Sequence, residues 1–203
     1  MPSSNLETVT ALIDKANGED PNLVLIAGDH MPAELAYGQR MAQLLAEFDT
    51  EASEFLKIAV RAQHLERWKT PRASYPQGRA GYLRWRSDQK RFHGERVSAL
   101  MVEAGYGEAD CDRVAALVRK EGLRTNPETQ TLEDVACLVF LKFYAVEFAA
   151  PHDASKVVDV LAKTLKKMSP RAIAATEQYA PDGQLLALIA EAKKSGVLDD
   201  RQE

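Results

Sequence analysis

Along most of the chain, apolar residues recur every three or four positions, the period of helices with one buried face. Leu6, Val9, Leu12, Ile13 and Ala16 form the first such set. Ser4 and Glu7 supply a capping box ahead of it, and Asn17 and Gly18 close it. Residues 19–30 read as a connection. Their LVLIAG run has strand-type residues, but with no second strand in the sequence to pair with it, an extended or irregular link is expected. From Pro32 a helix runs through ELAYGQRMAQLLAEF. The next runs from near Thr50 to Trp68 and is apolar on nearly every side, the mark of a buried helix. It carries Gln63 and His64 into the interior, where polar groups need partners.

Pro71, Pro76 and Gly78 interrupt the periodicity over residues 69–80, a loop long enough for a role beyond connection. A long helix is expected from Arg79 to Ala104, stopped by Gly105, and a shorter one from Glu108 to Lys120, stopped by Gly122. Asn126 and Pro127 mark a turn. From Thr131, TLEDVACLVFLKFYAVEF reads as a second nearly all-apolar helix with Glu133 and Asp134 in its first turn. Helices over Ala154–Met168 and 170–194 follow, the last broken at residues 181–183, and the acidic tail 195–203 is expected to fray. The pattern predicts an all-α, single-domain bundle of about eight helices, with its core over residues 5–168 and the C-terminal helices packed on it.

Composition narrows the function classes. At 203 residues and 45% hydrophobic content the chain can bury one sizeable core. It has no 18-residue apolar run and no basic-then-apolar leader pattern, so neither a membrane span nor export is indicated and a cytoplasmic location is expected. Cys111 and Cys137 lack disulfide or metal-site spacing and read as small buried hydrophobes. The net charge of −4 conceals an asymmetry: residues 61–96 hold ten basic and three acidic side chains. That density suits an anionic ligand, and arginine's fork suits phosphate. A solvated helix face paired with acidic neighbours would look the same in sequence.

Three windows together resemble the HD superfamily of all-α metal-dependent phosphohydrolases. YGQRMAQLLAEF matches the family's first helix, and FLKIAVRAQHLERW its second, placing His64 at the histidine of the His-Asp doublet. The window beginning FHGERVSALM places His93 at a histidine used as a ligand in some members, and LEDVACLVFL places Asp134 at the final aspartate. Tyr37 stands where the first histidine belongs and Leu65 where the doublet's aspartate belongs. Glu66 is one residue away, a swing of about 100° on a helix. More closely, the chain up to about residue 170 resembles the domain of unknown function 4202, a bacterial family with no activity to carry over. The tetrapeptide KMSP at 167–170 looks like part of a synthetase loop. In the absence of a histidine-glycine motif or a strand-helix nucleotide fold, it reads as a helix end followed by a Ser-Pro start.

The resemblance implies a divalent metal ion held by His64, His93 and Asp134, which would also be the catalytic residues. Glu34, three residues before Tyr37 on the same helix face, would fill the missing position. Such a metal would activate water and polarise a phosphoryl oxygen, with Arg40, Arg67, Arg79 and Arg86 holding the phosphate. Each residue also has a structural explanation: a hydrogen-bonded core histidine, carboxylates favoured by a helix dipole, and Trp68, Tyr82 and Trp85 as packing. Two readings follow. One is a divergent metal-dependent phosphohydrolase acting on a phosphorylated small molecule or nucleotide. The other is a non-catalytic module that binds an anionic ligand, nucleotide or RNA through residues 61–96.

Overall fold

The computed structural model describes residues 4–180 and 183–194. It is mostly helical, and the chain divides into two compact units, residues 1–132 and 133–203. The tail 195–203, together with Pro181 and Asp182, lies outside the described residues.

In the first unit, α1 (Asn5–Asn17) begins with the capping box: the Glu7 N–H donates to Ser4 Oγ and the Ser4 N–H to Glu7 Oε2. Val9, Ile13 and Ala16 form its buried stripe. The connection after it is a hairpin, not an irregular link. Strands β1 (Leu23–Ile26) and β2 (Asp29–Pro32) pair antiparallel, Leu23 opposite Pro32 and Ile26 opposite Asp29. Ala27 and Gly28 form the two-residue turn with φ of 52° and 97°, the left-handed backbone that matches strand twist. Asp-His-Met-Pro carries little strand propensity, so turn geometry and not residue type creates the second strand.

Helix α2 (Ala33–Phe48) has no cap from its adjacent residue. Instead Asp20, buried in the preceding turn, accepts the Glu34 N–H at 3.0 Å. Helix α3 (Glu54–Arg61), capped by Ser53, is shorter than the expected Thr50–Trp68. Beyond Arg61 the chain stays buried but leaves the helix: Glu66 takes φ 54°, and a 3-10 turn follows at Arg67–Lys69. The side chain of Asn17, 1% exposed, accounts for this path. Its Oδ1 accepts the Glu66 N–H at 2.9 Å, while its Nδ2 donates to the Glu34 carbonyl at 3.4 Å. The apolar run through Leu65 records burial, which a buried turn produces as well as a helix.

Helix α4 (Gly78–Glu103) buries Gly81, Trp85, Gln89, His93, Val97, Leu100 and Met101. The loop before it is folded back on it. Arg72 donates to the carbonyls of Tyr75, Pro76 and Gly78, and Tyr75 Oη donates to Asp88 at 3.0 Å. At Gly81 a Cβ would stand 1.9 Å from the Pro76 carbonyl oxygen, so only glycine fits. Helix α4 ends before Gly105 at φ 91°, and α5 (Glu108–Arg119) ends in Lys120 at φ 59°. Helices α1, α2, α4 and α5 surround α3 or one another, with Ile58, Ala59 and Val60 fully buried.

Helix α6 (Pro127–Phe143) spans the boundary between the units and starts four residues earlier than expected. Asn126 Oδ1 accepts the Glu128 N–H, and Pro127 occupies the first helical position, where a missing N–H does no harm. Glu133 and Asp134 therefore lie beyond its first turn. The second unit continues with α7 (Ala145–Ala149), α8 (Ala154–Leu165), α9 (Pro170–Tyr179) and α10 (Gly183–Lys194). Asp153 caps α8 and Ser169 caps α9. Ten α-helices are thus present among the described residues, where about eight are expected. No described helix is long and apolar enough to cross a membrane. Both cysteines are buried and neither forms a disulfide.

Asn17→Ala tests the constraint on the α3 exit. It removes an acceptor from a buried N–H, and the full chain is expected to lose about 2 kcal/mol of stability, read as a lower urea midpoint. An unchanged midpoint would mean that Asn17 does not hold this turn.

Candidate functional site

The first unit brings Glu34, Tyr37, His64, Arg67 and His93 together from three segments. Glu34 and Tyr37 are one turn apart on α2. His64 Nδ1 lies 3.2 Å from Glu34 Oε2, and the Tyr37 ring stacks on the imidazole at 3.9 Å between centroids, 10° from parallel. His93, on α4, lies 6.3 Å from His64 between ring centroids. On the same face of α4, at spacings of three and four, stand Tyr82, Trp85, Arg86 and Gln89.

The 3-10 turn is fastened to that face. The Trp85 indole N–H and Gln89 Nε2 both donate to the Thr70 carbonyl at 2.9 Å, and Gln89 Nε2 also donates to the Arg67 carbonyl at 3.1 Å. These bonds lay the Arg67 guanidinium over the Trp85 ring, 4.6 Å from its centroid. Arg67 lines a cavity of about 320 Å³ together with Glu34, Asp20, Asn22, Trp68, Thr70, Arg72 and Trp85. Among the described residues its guanidinium makes no hydrogen bond and no ion pair.

The electrostatics follow from burial beside that cation. Burial pushes the Glu34 carboxyl up to about 7; Arg67 works against the shift and Asp20 adds to it. Burial also drives His64 well below the ordinary histidine value, helped by Arg67 and Lys120, and takes His93 down to about 3, helped by His64 and Arg67. Both imidazoles are therefore neutral at pH 7. Above pH 7 Glu34 is mostly a carboxylate, with Oε2 facing His64 Nδ1 across 3.2 Å, and below it the carboxyl takes up a proton. His93 Nε2 is buried without a partner among the described residues, as are Gln63 Oε1 and Gln89 Oε1.

Most of the basic segment is engaged within the fold. Arg61 grips Asp14 with two bonds of 2.6 Å. Lys69 and Arg96 each bond Glu66 at 2.7 Å; burial works to raise that carboxyl, and the two cations together hold it below its usual range. Arg84 and Arg91 face Asp88 at 4.0 and 3.4 Å. Of the four arginines expected at a phosphate, only Arg67 lines the cavity. Arg86 lies 5.7 Å over the Tyr82 ring, Arg79 is exposed at the start of α4, and Arg40 sits half-buried on α2. Lys120, within electrostatic reach of His64, was not foreseen; its only sequence signal is its place at a helix end before glycine.

Residues 7–189 match the family described as a domain of unknown function (DUF4202). The chain belongs to that family. No curated protein and no solved structure matches it.

In this DUF4202 chain the proposed metal ligands divide between two tasks. Glu34, His64 and His93 gather in the first unit, whereas Asp134 lies in the second. The Asp134 carboxylate accepts the Ser169 N–H at 2.7 Å and the Ser169 hydroxyl at 2.5 Å, just where Ser169 caps α9 ahead of Pro170. The KMSP tetrapeptide is thus a helix start held by Asp134. Among the described residues no three His, Cys, Asp or Glu side chains are grouped to hold a metal ion. The donor set does not fit a metal.

Asp134→Ala is expected to lower stability by about 2 kcal/mol, because the buried cap of α9 loses two hydrogen bonds. A thermal melt of the full chain that matches wild type would remove Asp134 from that structural role.

Proposed function

We propose that the protein is a binding module for a small phosphorylated molecule, held against Arg67 without turnover. The observation that carries this reading is the Arg67 guanidinium itself. It is half-buried, over the Trp85 ring, at a cavity wall, and among the described residues its N–H donors reach no protein acceptor. A partly desolvated guanidinium whose donors reach no protein acceptor is costly unless a ligand supplies one, and its fork matches two phosphate oxygens. Glu34 acts on it only through space and, with its carboxyl at about 7, is partly protonated near neutrality. Asp20 does not supply it, since its carboxylate already accepts from the Asn22 N–H, Asn22 Nδ2 and the Glu34 N–H.

The cavity's size favours a small molecule over a polymer. RNA would need a run of uncommitted cations, and the exposed face of α4 instead pairs Arg84 and Arg91 with Asp88. The lack of turnover rests on the donor set and on two imidazoles held too weakly basic to take a proton readily near neutrality. A divergent HD-like ancestry belongs to this reading: the aligned positions Tyr37, His64 and His93 are neighbours in space, with the ligand chemistry lost.

Isothermal calorimetry with inorganic phosphate and pyrophosphate is expected to show binding, weakened about 30-fold by Arg67→Met, which keeps the apolar stem and removes the fork. No binding by wild type at millimolar anion, or equal affinity in the variant, would overturn the reading. So would hydrolysis of p-nitrophenyl phosphate in the presence of Mg²⁺ or Mn²⁺ that disappears in His64→Ala.

A further inference from the structure

Glu34 is an unexpected neighbour for an anion. It lines the same cavity as Arg67, and only one of its carboxyl oxygens is engaged, Oε2 by His64; Oε1 has no partner among the described residues. An ionised carboxylate accepts hydrogen bonds and donates none. Against an oxyanion with no proton it is purely repulsive, whereas against an oxyanion carrying a P–OH it is an acceptor. Resting on the reading of Arg67 as the anion anchor, we propose that Glu34 selects oxyanions that bring their own proton, inorganic phosphate or the monoanion of a phosphate monoester, and turns away proton-free oxyanions such as sulfate.

The groups facing Glu34 leave it in charge of this choice. From the turn after α1 comes Asp20, saturated by three N–H donors. From the segment after α3 come His64, neutral and 3.2 Å from Oε2, and Arg67, the anchor. Arg72, on the same cavity wall, has its guanidinium turned to backbone carbonyls. Tyr37 stacks on His64 and lies within electrostatic reach of Arg67. The free acceptor among them is Glu34 Oε1.

The sign of the pH dependence follows. The Glu34 carboxyl titrates at about 7. Below that it is protonated and donates to either anion. Above it, inorganic phosphate still carries one proton and binds the carboxylate directly, whereas sulfate binds only when Glu34 has taken up a proton. Sulfate affinity then falls about tenfold per pH unit above 7, while phosphate affinity does not share that fall.

The test is calorimetric titration of the full chain with sodium phosphate and with sodium sulfate at pH 6.5 and 8.5. In wild type the sulfate-to-phosphate ratio of dissociation constants is expected to rise at least tenfold between the two pH values. In Glu34→Gln, whose amide donates at any pH, sulfate binding is expected to be as tight at pH 8.5 as at 6.5. If wild type binds both anions with a ratio that does not change with pH, the selection is refuted while the Arg67 reading stands. If it binds neither, the anion site itself falls. The wild-type comparison decides the matter even if the variant does not fold.

Discussion

One buried amide organises the first unit. Asn17, at the end of α1, receives the backbone N–H of Glu66 and gives a hydrogen bond to the carbonyl of Glu34. Those two contacts lie beside the two partners of the site, His64 and Glu34. With a side chain 1% exposed, each missing partner would leave a desolvated polar group, so the geometry is enforced by the cost of breaking it. Helix α3 ends at Arg61; the left-handed conformation at Glu66 then opens the 3-10 turn at Arg67–Lys69, with the Glu66 carboxylate bonded to Lys69 and Arg96. The same turn lets Arg67 reach Trp85. Through the α1–α2 connection Asp20 adds the cap on α2 that fixes the Glu34 backbone.

The basic segment shows how charge density differs from charge availability. Arg61 serves the α1–α3 contact through Asp14, Lys69 and Arg96 neutralise a buried glutamate, and Arg72 shapes its own loop. None of these could be given to a ligand without dismantling local structure. Arg67 differs because its carbonyl, not its guanidinium, is what the fold uses: Gln89 holds the former and leaves the latter on the indole face. Backbone fixation with a free charged head is an arrangement suited to binding, since the ligand does not have to order the side chain first.

Local signals in the chain were legible wherever one residue does the work. The Ser4–Glu7 box, the stop at Gly105 and the Ser169–Pro170 start are set by nearest neighbours, and the structure contains them. The hairpin was not legible because its second strand exists by virtue of the Ala27–Gly28 turn. The exit from α3 was hidden because Ala62 and Leu65 stay fully buried after the helix ends, so hydrophobicity continues while the backbone changes. The start of α6 was written in Asn126 and Pro127, which mark a helix start as readily as a turn. For the site, the places of His64 and His93 follow the aligned windows, and that of Glu34 follows its position one turn before Tyr37. Which arginine stays free depends on contacts with Asp14, Glu66 and Asp88, two of them far away in sequence from their partners.

The interior around His64 also explains why the site holds two histidines that do not ionise. His93 Nε2, Gln89 Oε1 and Gln63 Oε1 are buried polar atoms without partners among the described residues. Such atoms each cost about 1–3 kcal/mol, and a core evolved only for stability would replace them with carbon. His93 and Gln89 stand one turn apart on α4, and Gln63 adjoins His64 in sequence. Protonating either histidine would place a second cation beside Arg67 in a region of low polarity, which is why both stay neutral. Neutral imidazoles preserve hydrogen-bonding capacity without competing for the anion's charge, and with Arg72 engaged by backbone carbonyls they leave Arg67 as the cavity-wall arginine for the anion and Glu34 as the group that answers to protons.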